Sequence, residues 1–252
     1  MSDQKKVLIV LSGCHSIAIQ KKDGSKIEQE TGYFLKELAQ PLQLLLDNDY
    51  SVTFVTPGGQ EPRLDTLSDS SLWFLGNYYE LNREKELIKR LDKEISNPRS
   101  LSSISDSELS SFSGVFVPGG HGPMGDLGKD PELGRILSHF HKQHKPTGVI
   151  CHGPIALLST KLAENGEFAY KDYRVTCYAN KEEMSNELMW GAKLEKKVED
   201  ALREAGAKVE VSTIPLMPNV VRDRELVSGE GPTSAYAFGQ EFVKTLREGV
   251  VA

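Results

Sequence analysis

The chain has 252 residues, 38% of them hydrophobic and 26% charged, which suits one sizeable α/β domain or one domain with a small insert. A net charge of −6 leaves no basic footprint for nucleic acid or an anionic membrane. No apolar run approaches the ~20 residues of a membrane span, so the expected setting is the cytoplasm, with the nucleus as a second compartment.

The first segment, MSDQKKVLIVLSG, has too short an apolar stretch and no cleavage pattern for a signal peptide, and it reads as a strand over 6–12. A helix follows over 31–46, with Phe34, Leu35, Leu38, Leu42 and Leu45 along one face. SVTFVT (51–56) is the next strand. The region 62–113 is less regular. SLWFLGNYYELNREKELIKRLDKEI reads as a helical insert, and the Ser-rich NPRSLSSISDSELSSFS as a polar connection. It is either a lid over the strand ends or a plain surface excursion, since long connections often sit near sites.

Beyond it come strand GVFVP (114–118), a helix over 131–144, strand TGVI (147–150), strand YRVTCY (173–178), a helix over 193–205, and strands KVEVS (208–212) and RELVS (224–228). Near-continuous apolar runs mark strands buried on both faces. Their alternation with helices predicts an α/β three-layer sandwich with a mostly parallel central sheet. The expected organisation is a single domain, 1–252, carrying an insert or cap at 62–113.

Cysteines stand at 14, 151 and 177, none at zinc-ligand spacing. No disulfide framework is expected, and a reducing compartment fits. The cluster HFHKQH (139–144) looks like a metal site but reads as the polar end of a helix, for no Cys or acidic partner is near. Neither metal nor cofactor is expected.

The loop PGGHGPMGDLG directly follows a strand, and Gly120 to Gly125 match G-x-G-x-x-G. The dinucleotide-binding reading fails on context. Pro123 stands where a helix should open against the pyrophosphate, and the next strand ends at Cys151, not at an acidic ribose ligand. The better reading is a loop of backbone donors at a strand end, where ligands of open α/β sheets sit. PGGHG and ICHG occupy two such ends, so Gly119 and His121 are pocket candidates. Cys14, which also follows a strand, is another.

In TGVICHGPIALLS (147–159) a buried strand stops at Cys151, and Gly153-Pro154 opens a helix. A tight turn of this kind holds a side chain over the sheet edge. The helix N-terminus favours thiolate, the reactive form. The N–H groups of Gly120 and His152 are candidates for an oxyanion hole, and the His152 ring for an acid or base. The bland alternative is a buried, inert cysteine, the reading kept for Cys177.

ICHGPIALL, PGGHGPMGDL and TGYFLKELAQP resemble the ThiJ/PfpI superfamily of the class I glutamine amidotransferase-like, flavodoxin-like fold, in its heat-shock protein 31 and glyoxalase III branch. LEKKVEDALREAGAKVEV and LVSGEGPTSA carry the resemblance to the end of the chain. It implies a nucleophilic Cys with an adjacent His, matched by Cys151 and His152, and two acids. The acid at the thiol matches Glu37, and the partner of the histidine falls at Glu183, with Glu182 as competitor.

The implied activity is a cofactor-independent, cysteine-dependent glyoxalase III-like lyase of the D-lactate dehydratase type. It would convert methylglyoxal, a small 2-oxoaldehyde, to lactate in a homodimer. Alternatives from the same superfamily are a redox-regulated stress chaperone and a Cys-dependent amidase or peptidase. Glu230-Gly231-Pro232 and Gly125 depart from the branch's usual pattern, and these changes bear on the substrate.

Overall fold

The computed structural model describes residues 5–163 and 166–249. Its centre is a seven-stranded sheet in the order Val220–Asp223, Leu226–Gly229, Thr147–Ile150, Gly114–Val117, Lys6–Val10, Ser51–Thr56, Arg99–Ser100. Every neighbouring pair is parallel except Val220–Asp223, which runs antiparallel to Leu226–Gly229. The inner strands Gly114–Val117 and Thr147–Ile150 are buried throughout. That is why their sequences read as unbroken apolar runs.

Helices flank the sheet in pairs. Leu35–Leu46 packs with Ala235–Glu248, and Pro131–Lys142 with the 3-10 helix Gly153–Leu162. Phe116 of the sheet lies against Phe238 and Phe242 of the C-terminal helix at 5.4 and 6.0 Å. The mostly parallel, three-layer α/β architecture expected from the sequence is the one found.

Several elements differ. YRVTCY is strand only at Arg174–Val175 and KVEVS only at Lys208–Val209, and these pair with each other in a separate two-stranded sheet. Past Val175 the backbone donors go elsewhere. Thr176 N–H bonds Ser228 Oγ at 2.9 Å, and Tyr178 N–H bonds the Cys151 carbonyl at 2.8 Å. The helix expected over 193–205 begins only at Val198. Gly191, at φ 64°, ends the unforeseen helix Asn180–Trp190, and Ala192–Leu194 then pairs antiparallel with Ser16–Lys21. That strand and Lys26–Glu30 form a hairpin. The region 62–113 holds the helix Tyr78–Arg90 as expected, and it also supplies the edge strand Arg99–Ser100 of the main sheet.

Candidate active site

Two adjacent parallel strands, Gly114–Val117 and Thr147–Ile150, end at the same edge of the sheet and deliver the glycine loop and Cys151 side by side. Cys151 is in the left-handed region at φ 61°, an uncommon and strained conformation for a non-glycine residue. It is held there from both sides. Its N–H donates to the Gly229 carbonyl at 2.9 Å, and its carbonyl accepts from Tyr178 N–H. The sharp turn directs the thiol away from the sheet, and the side chain is 2% exposed.

The Cys151 Sγ lies 3.2 Å from Nδ1 of His152. On the other side of that ring, Nε2 is 2.6 Å from Oε2 of Glu183. A second histidine, His121, places Nε2 2.9 Å from Oε1 of the same carboxylate, and Asn186 Nδ2 donates to Oε1 at 3.0 Å. Burial disfavours a charge on Glu183, but His152 and then His121 hold its carboxyl well below the usual range. An ionised carboxylate only accepts, so each ring donates its Nε2–H to it. The Nδ1 lone pair of His152 is thereby left facing the thiol. Burial, with His121 adjacent, lowers the His152 pKa to about 4 despite the pull of Glu183, so the ring is a neutral base at physiological pH.

A carboxyl group reaches the same point from the helix Leu35–Leu46, with neither oxygen in a hydrogen bond among the described residues. Glu37 is fully buried there, among Leu38, Pro41 and Leu42 of the same helix. Burial raises its carboxyl to about 8; the Cys151 thiol and the N–H of Gly120 pull the other way. At neutral pH it is a carboxylic acid. The thiol itself is pushed well above its ordinary value, first by burial and then by Glu37, while the Gly120 N–H opposes. The thiolate expected from a helix N-terminus is therefore not the resting state, because removal from water outweighs the partial charge of the helix end.

Gly119 and Gly120 allow this convergence. A Cβ on Gly119 would sit 2.3 Å from Oε2 of Glu37 and 2.5 Å from Cβ of Cys151. Gly120, at φ 90°, would bring one within 2.2 Å of the Gly32 carbonyl. Two side chains and a second segment of backbone thus close on a loop that has no room for a methyl group.

A cavity of about 320 Å³ opens over the thiol, lined in part by Gly120, His121, Cys151, His152 and Tyr178, and in part by residues between Asp65 and Trp73. The donor atoms of His121, His152 and Glu183 lie within 4.8 Å of one another, a set of two imidazoles and a carboxylate of the kind zinc accepts.

The DJ-1/PfpI family model matches residues 29–245, which spans every group of this site. The chain belongs to the DJ-1/PfpI family. It is 26% identical over 251 residues to the protein/nucleic acid deglycase HchA of Pseudomonas aeruginosa, covering 97% of this chain and 81% of that one. Among solved structures it is similar to the rapid encystment protein of Francisella tularensis, at 25% identity and TM-score 0.78, covering 96% and 99% of the two chains. It is also similar to glyoxalase III of Candida albicans, at 18% identity and TM-score 0.76, covering 96% and 98%. The last of these shows the fold alone.

Within this DJ-1/PfpI chain, Cys151, His152, Glu37, Glu183, Gly120 and His121 converge on one point. Glu182 does not join them: its Oε1 accepts from the Leu216 N–H at 2.6 Å, so Glu183 is the acid on the histidine. Two pocket candidates lie outside the cavity lining. Gly119 packs behind the thiol, and Cys14 turns its Sγ to the Ser16 carbonyl at 2.8 Å and packs on Gly125. A helix does open at Pro123, contrary to expectation, but it spans only Pro123–Asp126, and a Cβ on Gly125 would meet Cys14 Sγ at 2.3 Å.

His139 and His141 do end a helix, but an acidic partner is near after all, brought in from far along the chain: buried Glu225 lies 2.9 Å from His141. Among the described residues no helix is long and apolar enough to cross a membrane. Asn186 and Tyr178 were not foreseen. Asn186 lies one turn after Glu183 on the helix Asn180–Trp190, which was itself unforeseen, so the spacing gave no signal.

Proposed function

We propose that this protein is a glutathione-independent, cysteine-dependent glyoxalase, converting methylglyoxal and related 2-oxoaldehydes to 2-hydroxy acids. The observation that carries this reading is the unbroken chain from Cys151 Sγ through both nitrogens of His152 to Glu183, with the carboxylic acid of Glu37 beside the sulfur.

The thiol adds across the aldehyde carbonyl. The S–C bond forms as the S–H proton passes to His152 Nδ1, and the ring hands that proton to the aldehyde oxygen, which gives a hemithioacetal and frees Nδ1 again. Glu37, neutral in the resting site, donates to the sulfur as charge develops. His152 then takes the proton from the first carbon, and the second carbon receives one through an enediol. The first carbon is thereby oxidised to a thioester as the ketone is reduced to an alcohol. The Gly120 N–H, with that of His152, offers donors to the enediolate oxygen. Water cleaves the thioester, releasing the 2-hydroxy acid and restoring the thiol, so no external oxidant or reductant is consumed. Glu183 keeps the His152 ring in the tautomer these transfers need.

The experiment is direct. The purified protein is mixed with methylglyoxal in the absence of glutathione and metal, and lactate and its enantiomer are assayed. Formation of D-lactate that vanishes in Cys151→Ala is expected, and turnover of methylglyoxal no greater than that of this variant would refute the proposal.

The likeness to the HchA deglycase favours a second reading, in which the same thiol attacks a carbonyl adduct held on an amine. Release of amine from a preformed methylglyoxal–arginine adduct, faster than its spontaneous decay with free aldehyde trapped, would select it. The redox-sensor alternative assumed an exposed, acidic thiol, whereas Cys151 is buried and raised in pKa.

A further inference from the structure

The cavity is divided by chemistry along its depth. The reacting groups Cys151 and His152 are 2% and 1% exposed and form its floor. The residues toward solvent are mainly apolar: Leu67, Leu72 and Met189 line the mouth at 40%, 73% and 62% exposure, and Phe34 and Trp73 line the wall, with Thr66, Ser70 and Asn186 between them. That wall is built, not fluid. Phe34 and Trp73 meet edge to face at 5.2 Å. Trp73 Nε1 donates to the Leu67 carbonyl at 3.0 Å, and Lys36 Nζ donates to the Trp73 carbonyl at 3.0 Å.

Most polar side chains among these walls are already engaged, the exposed Thr66 hydroxyl at the rim being the exception. Asp65 accepts from the Thr31 hydroxyl and the Leu67 N–H, Ser70 Oγ accepts from the Leu72 N–H, and Asn186 donates to Glu183. Above the floor, little is left to recognise a hydroxyl or a charge, while a preformed apolar surface stands ready for hydrocarbon. A methyl group fills only a small part of about 320 Å³.

Resting on the proposed function, we infer that the substrate is a 2-oxoaldehyde bearing a bulky apolar substituent, a branched alkyl or aryl group, with Leu67, Leu72, Trp73 and Met189 as specificity-determining residues. The dicarbonyl head goes down to Cys151, and the hydrocarbon tail lies between Trp73 and the mouth. Burying the tail removes apolar surface of both partners from water, and each added methylene contributes to the specificity constant.

The test compares kcat/KM for methylglyoxal with that for its isobutyl and phenyl analogues. The alkyl analogue separates burial from the electronic effect of the ring. Both larger substrates are expected to be preferred by at least about tenfold. The preference should shrink several-fold in Leu72→Ser, whose exposed position makes misfolding no explanation, and further in Trp73→Ala. Equal or better turnover of methylglyoxal would overturn the inference and leave the proposed function standing. If none of the three is turned over, the proposed function fails, and binding still decides the inference. Calorimetry with Cys151→Ala should then show mandelate bound at least about tenfold more tightly than lactate, and equal affinities would overturn it.

Discussion

In the proposed reaction Cys151 is the nucleophile, held in its protonated form in the resting site. Its thiol is raised by burial and by Glu37, and His152 at about 4 is a weak base. In that reaction, transfer of the proton would be coupled to attack and would depend on Glu37 remaining neutral. As pH rises past about 8, Glu37 ionises next to the sulfur and opposes the thiolate. Turnover is expected to fall on that alkaline limb, and Glu37→Gln should be slower at pH 7 but lack the limb; rate–pH profiles of the two proteins check this. The acids after Ala179 are told apart the same way. Glu183→Gln loses the charge and leaves one acceptor oxygen for the two rings of His152 and His121, so the His152 tautomer is no longer fixed and kcat/KM should drop about 100-fold or more. Glu182→Gln should stay within a few-fold of the parent, because Glu182 serves the Leu216 N–H.

At the scale of elements, the site is a junction of two strand ends, one helix and a glycine loop. The helix Leu35–Leu46 brings Glu37 in because the residue falls on the buried side with Leu38, Pro41 and Leu42. The loop must then pass between Glu37, Cys151 and the backbone at Gly32. Gly119→Ala is expected to abolish turnover by prying Glu37 from the thiol. Gly120→Ala adds the cost of a left-handed residue to a backbone clash, and thermal unfolding should show it destabilised by about 1–3 kcal/mol or more. Between Asp65 and Trp73 the insert supplies cavity wall, as a lid would. The sequence left that open, because a helical pattern on an insert says nothing of what it covers.

Across the whole molecule, buried ionisable groups set how stability varies with pH. Glu37 is raised from 4.5 to about 8, so its contribution is full below pH 4.5 and is lost as pH climbs to 8. Glu84, raised to about 7, and Asp126, raised to about 6, act in the same direction over narrower windows. His152 acts oppositely: neutral in the fold and lowered from 6.5 to about 4, it costs stability as pH falls through that window. Glu37→Gln removes the largest of the alkaline losses. Denaturant unfolding at pH 5 and pH 8 should show the variant gaining on the parent by up to about 4 kcal/mol across the interval. No relative gain would mean that Glu37 is ionised in the fold.

The sequence by itself determined the layered α/β sheet, because strands buried on both faces must be apolar throughout, and it marked Cys151 and His152, because a strand-to-helix turn is local chemistry. The resemblance added Glu37 and narrowed the second acid to two neighbours. Only the tertiary structure chose Glu183 over Glu182, brought His121 onto the same carboxylate, and left Cys14 out of the cavity. It also reversed the expected state of the thiol. The sign of a pKa shift depends on which groups and how much water surround the sulfur, and those neighbours come from residues 37, 120 and 183, far apart in the chain. The short pairing of Arg174–Val175 with Lys208–Val209 was illegible for the same reason, since what ends a strand there is a hydrogen bond to the distant Ser228 and the turn at Cys151.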